Sequence, residues 1–166
     1  MKLGYEFINE EIVLEIGKFA VLWNMFERDC KCNASYENIK KFALEIPDEY
    51  DKTIFDNYIN QINIRAKDIC KNENPLDFYV EHKLYPTDDN RARISLTEKE
   101  QEMPKVKEFF KNNTRKNLVG AICSIKRIRN NMFHGLKEQF FKEFFVTINK
   151  VLEYLLSLNI ILQGEE

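Results

Sequence analysis

The fold is decided by residues 114–162, TRKNLVGAICSIKRIRNNMFHGLKEQFFKEFFVTINKVLEYLLSLNIIL. Leu118, Ile122, Ile125, Ile128 and Met132 recur at three- and four-residue steps, the period of one helix face. This predicts a helix from about Thr114 to His134, with Gly135 standing where a helix C-terminus favours a left-handed residue. A last helix follows at once, from about Lys137 to Leu162. Its Phe141, Phe144, Phe145, Ile148, Val151, Leu152, Leu155 and Leu156 offer enough apolar surface for two neighbours. Long helices joined by a tight turn are expected to pack antiparallel.

The same period extends towards the N-terminus. From about Asn9 to Cys30, Ile12, Ile16, Phe19, Ala20, Trp23 and Phe26 share one side, leaving Glu11, Glu15, Lys18 and Arg28 outside. Ser35 followed by Asn38 opens a second helix, with Ile39, Phe42, Ala43 and Ile46 as its stripe and Pro47 as its stop. A third is expected from about Asp48 to Cys70, carrying Ile54, Tyr58, Ile62 and Ile69. Between Asn72 and Leu96, Pro75, Pro86 and Asp88-Asp89-Asn90 break any period. A long irregular insertion with one short helix near Leu76 to Leu84 is the reading there. Thr97 and Glu100 then form a capping pair for a polar helix that Pro104 limits or restarts and that ends near Asn112-Asn113. No strand is needed anywhere. The expected architecture is an all-α antiparallel bundle of about four to five helices with one irregular insertion.

The 166 residues, 44% of them apolar, suit a single domain spanning 1–166 with its own core. A formal charge of −2 leaves no global basic field, so contact with a polyanion would depend on a local patch. No apolar run approaches the ~18 residues that a bilayer requires, and no basic start precedes an apolar core. A cytoplasmic protein with no membrane partner is expected. Cys30, Cys32, Cys70 and Cys123 lack the paired spacing of zinc modules, so they are read as reduced thiols, no metal site is expected, and no cofactor is implied.

Chemistry concentrates at the end of the helix predicted for 114–134. Lys126, Asn130 and His134 are spaced by four and form one row, towards which the long side chain of Arg129 can swing. With Arg127, the row gathers three cations and an imidazole, a set attractive to a phosphodiester. His moves protons near neutral pH, and a guanidinium neutralises charge in a phosphorane-like transition state. That pairing suits metal-free RNA transesterification. Two proton carriers serve the reaction better than one, and a second His134 from a two-fold symmetry mate would supply the other. A second reading stands beside this one: cations near a helix C-terminus also satisfy the macrodipole and cap free carbonyls.

Ile128-Arg129-Asn130-Asn131-Met132-Phe133-His134-Gly135, continuing to Lys137, resembles the motif of HEPN domains: Arg and a polar residue, a short spacer, then His. In that family the motif ends one long helix of an α-bundle and another helix follows. Phe19, Trp23, Phe26 and Glu27 also look like the opening helix of some prokaryotic HEPN subfamilies. The resemblance implies an HEPN-like fold and a metal-independent endoribonuclease that works as a homodimer with its cleft at the two-fold interface. It also implies RNA as substrate, a toxin or phage-defence setting, and an antitoxin or regulatory protein as partner. Arg129 would contact the scissile phosphate, Asn130 would orient its neighbours, and His134 would do acid–base work, with Lys126, Arg127 and Lys137 supporting the substrate. Glu27 has two readings, a carboxylate that holds Arg129 or a solvated residue on a helix face. Relatives silenced by nucleotidyl transfer carry Tyr two residues beyond the motif His. Here that position is Leu136, so adenylylation at that position is not expected. Some HEPN domains have lost catalysis and serve as binding or dimerising modules, which is the alternative reading.

Elsewhere, His82 reads as a surface residue. Lys105, Lys107, Lys111, Arg115 and Lys116 read as an RNA-tracking run or a solvated face. Phe109-Phe110, Phe140-Phe141 and Phe144-Phe145 read as core or dimer contact before any base-stacking platform.

Overall fold

The computed structural model describes residues 10–31, 33–86, 95–133 and 142–163, and all regular structure among them is helical. Seven α-helices appear: α1 Glu10–Asp29, α2 Tyr36–Leu44, α3 Lys52–Ile69, α4 Pro75–Tyr79, α5 Leu96–Lys111, α6 Leu118–Phe133 and α7 Lys142–Ser157. Five of them are long; α2 and α4 are short.

Local chemistry explains the starts. Ser35 Oγ accepts from Asn38 N at 3.2 Å, and Asp51 Oδ1 accepts from Thr53 N at 3.2 Å, each satisfying an amide that the first turn leaves without a partner. Pro75 sits in the first turn of α4, where its missing N–H costs nothing. The start of α5 corrects the sequence reading. Ser95, not Thr97, is the cap, its Oγ accepting from Glu98 N at 3.1 Å. Both residues open the same Ser/Thr-x-x-Glu pattern, and the earlier one takes the role. Helix α5 also runs through Pro104 rather than restarting there. Burial of Glu102, Val106, Phe109 and Phe110 holds it in place despite the lost hydrogen bond.

The insertion between α3 and α5 contributes to the core. Helix α4 passes directly into a π-helical turn, Val80–Leu84, and Tyr79, Val80, Leu84 and Tyr85 are all buried. Residues 87–94 lie outside the described part.

One apolar cluster takes residues from all seven helices. Helices α5 and α6 form an antiparallel pair, since Asn117 Nδ2 donates to Asn112 O at one end and Lys126 reaches Glu102 at the other. Helix α7 packs chiefly on α1 and α3. It runs antiparallel to α3, with the Tyr154 hydroxyl accepting from Asp51 N at 2.9 Å. Alongside α1 it runs in the same direction: Lys142 pairs with Glu11, Asn149 Nδ2 donates to Glu15, Lys18 pairs with Glu153 and Leu162 N donates to Asp29 O. Consecutive α6 and α7 therefore take different main neighbours, because each is apolar around too much of its circumference for one partner to cover.

Across the middle, Ser124 Oγ donates to Ala121 O at 2.6 Å, so the buried Tyr58 hydroxyl is the donor in its 2.7 Å contact with Ser124. At Gly120 the backbone of α5 lies directly against α6. A β-carbon there would lie 2.1 Å from Lys105 O and 2.9 Å from Phe109 Cβ, and backbone cannot yield that space cheaply. Gly120→Ala should therefore lower stability by about 2–3 kcal/mol in urea unfolding, although alanine is the better helix former. Gly17, with nothing within 4 Å, is the control. In dilute protein Gly17→Ala should raise stability by about 0.5–1 kcal/mol.

Candidate active site at the end of α6

From Leu118 to Ile125 every residue of α6 is buried, and among Lys126–Met132 only Lys126, Arg129, Asn130 and Met132 reach partial exposure. Helices α2 and α5 and the π-helical turn enclose the rest. The expected polar row therefore emerges only in the last two turns described.

Arg129 and Asn130 meet there. Both are half-buried, and Arg129 Nη1 donates to Asn130 Oδ1 at 3.2 Å. Adjacent helix positions do not face one another, so the contact requires the long arginine side chain to fold across. His134, Leu136 and Lys137, named from the sequence, lie outside the described residues.

The other two cations have different roles. Arg127, expected to face substrate, is 2% exposed and turns inward. Its Nε donates to Leu84 O at 3.2 Å, its Nη2 donates to Asn131 Oδ1 at 3.0 Å, and its guanidinium lies 5.6 Å from the Tyr85 ring centroid. Asn131 Nδ2 donates in turn to Lys83 O and Leu84 O. Arg127 and Asn131 thus close the C-terminal end of the π-helical turn, whose carbonyls would otherwise be buried without donors. Lys126, with only 12% of its side chain exposed, donates to Glu102 Oε1 at 3.2 Å. Glu102 is fully buried, and its other oxygen has no hydrogen-bond partner. Burial pushes its carboxyl above the usual range, outweighing the attraction of Lys126 and Arg127. Burial and the neighbouring Glu102 also push the Cys123 thiol well up.

Glu27 is half-buried and accepts from Trp23 Nε1 at 2.6 Å, so it has a role within α1 itself. His82 is exposed, 4.0 Å from Glu81 and tilted against Phe78 at 4.4 Å between centroids. The basic run disperses into local partners. Lys107 pairs with Glu81, Lys111 with Asp77 and Lys105 with Glu108, while Arg115 donates to Leu44 O and Ile46 O at the end of α2. Phe109, Phe110, Phe144 and Phe145 are core residues. Cys30, Cys70 and Cys123 are buried free thiols. Among the described residues, no group of three His, Cys, Asp or Glu side chains could hold a metal, and no helix is long and apolar enough to cross a membrane.

Two features escaped the sequence reading. Glu102 sits in a helix that looked polar throughout, and its burial depends on α6 lying against it. An open groove of about 520 Å³ runs between α3 and α7, with Asn57, Asn60, Gln61, Lys142 and Lys150 among its walls. The three amides share one face of α3, which in sequence is indistinguishable from a solvated face.

No family model, curated protein or solved structure matches the chain.

In the unfolded chain Glu102 titrates in the ordinary range and in the folded chain above it, so the folded state holds the extra proton between the two. Stability from this group is complete below the ordinary value and is lost as pH rises through the folded one. Urea unfolding of wild type and Glu102→Gln between about pH 4 and pH 8 checks this. The unfolding free energy of wild type minus that of the variant should fall as pH rises; an increase would mean the two cations overcome burial.

Proposed function

We propose that the chain is a metal-independent endoribonuclease of the HEPN type. Arg129 holds the scissile phosphate, Asn130 orients the guanidinium, and His134 moves protons. One observation carries the reading: of the cations on α6, Arg129 is the one hydrogen-bonded to Asn130 on the turn that emerges from the bundle, while Lys126 and Arg127 are bound inside. In this reading a base removes the 2′-hydroxyl proton of single-stranded RNA and the oxygen attacks phosphorus. An acid then protonates the leaving 5′-oxygen, giving a 2′,3′-cyclic phosphate and a 5′-hydroxyl. The second proton carrier is His134 of a two-fold mate, so the working unit is a homodimer with the cleft at its interface. A cytoplasmic toxin or phage-defence effector, restrained by an antitoxin or regulatory protein, is the setting this activity fits.

Inward Arg127 and Lys126 leave fewer cations for phosphate than the spacing suggested, which favours a second reading: a non-catalytic HEPN module that binds RNA, nucleotide or a protein partner.

Purified protein incubated with mixed single-stranded RNA in EDTA separates the two. Under the nuclease reading, Arg129→Ala and His134→Ala each slow cleavage by at least about 100-fold. Equal cleavage by wild type and both variants overturns it, and RNA binding without cleavage moves the assignment to the second reading.

A further inference from the structure

Helix α1 is apolar on two sides. Its inner side, with Phe19, Trp23 and Phe26, is buried. Its outer side carries Val13, Leu14, Val21 and Met25 at 51%, 72%, 59% and 38% exposure, half of the large exposed apolar residues among those described. They form one stripe: Leu14, Gly17, Val21, Asn24 and Arg28 follow steps of three and four, with Val13 and Met25 flanking and Glu10 one turn before. Gly17 lies mid-stripe with nothing within 4 Å. A glycine inside a helix is unfavourable relative to alanine, and nothing among the described residues requires it. Close approach of another helix would.

The charges select the occupant. Glu10 opens the stripe and Arg28 closes it, and among the described residues neither pairs with an opposite charge, whereas Glu11 turns to Lys142 of α7. Reversing the helix maps the stripe onto itself: Glu10 falls opposite Arg28, Val13 opposite Met25, Leu14 opposite Asn24, and Gly17 opposite Val21. A parallel pairing would instead set acid on acid and Arg28 on Arg28. The acidic start, with the flanking Lys18 already paired to Glu153, also argues against a lipid surface.

We propose that α1 is a self-association surface through which two copies of this chain pair antiparallel, Gly17 of each seated against Val21 of the other and Glu10 against Arg28. The contact is isologous, as a two-fold dimer requires. It contains none of Arg129, Asn130 or His134, so it is a different contact from the two-fold cleft of the nuclease reading.

Sedimentation equilibrium of the full chain from about 1 to 100 μM tests it. Wild type should dimerise in that range. Val21→Glu and Leu14→Gln should each weaken the dimer at least about tenfold, with unchanged circular dichroism and melting temperature in dilute protein, because both side chains are exposed in the monomer. Arg28→Glu should weaken it, and adding Glu10→Arg in the same chain should restore it. A wild type that stays monomeric at the highest concentration overturns the proposal together with the homodimer of the nuclease reading, whereas a dimer indifferent to both apolar substitutions overturns the α1 contact alone. Failure of the charge reversal to rescue overturns the antiparallel register.

Discussion

Helix α6 is enclosed over most of its length, and this enclosure governs the rest of the molecule. A helix buried on several sides must provide close contact for its neighbours and a partner for each polar group it carries. Gly120 meets the first demand by letting the α5 backbone approach. Ser124, Lys126, Arg127 and Asn131 meet the second with Tyr58, Glu102, Leu84 and Lys83.

The buried polar groups also set what α6 presents outside. Arg127 and Asn131 tie the helix to the π-helical turn, and Lys126 ties it to α5. With three points held from two directions, the emerging turn with Arg129 and Asn130 has its orientation determined from beneath. The cations lost to the interior are the supports of the one that remains outside.

Helices α1 and α7 show the opposite economy. The α7 helix has two apolar sides and finds α1 for one and α3 for the other. The α1 helix also has two apolar sides, but its outer stripe has no cover among the described residues. An all-α fold with an inner helix saturated by contacts and an outer helix only half covered has its stability centred on one element and its capacity for association on another.

Helical class, the cap at Ser35, and the core stripes of α1, α3, α6 and α7 were legible in the sequence, because helical periodicity and capping are local and depend on residues three or four apart. The pairing of Arg129 with Asn130 was also within reach, since one long side chain can fold across to its neighbour. The tertiary structure alone decided that Arg127 turns inward, that Glu102 is buried, that α7 lies beside α1 rather than chiefly against α6, and that the insertion contributes Tyr79, Val80, Leu84 and Tyr85 to the core. Periodicity shows that a helix has a buried face; how wide that face is depends on how many neighbours surround it, and those come from distant parts of the chain.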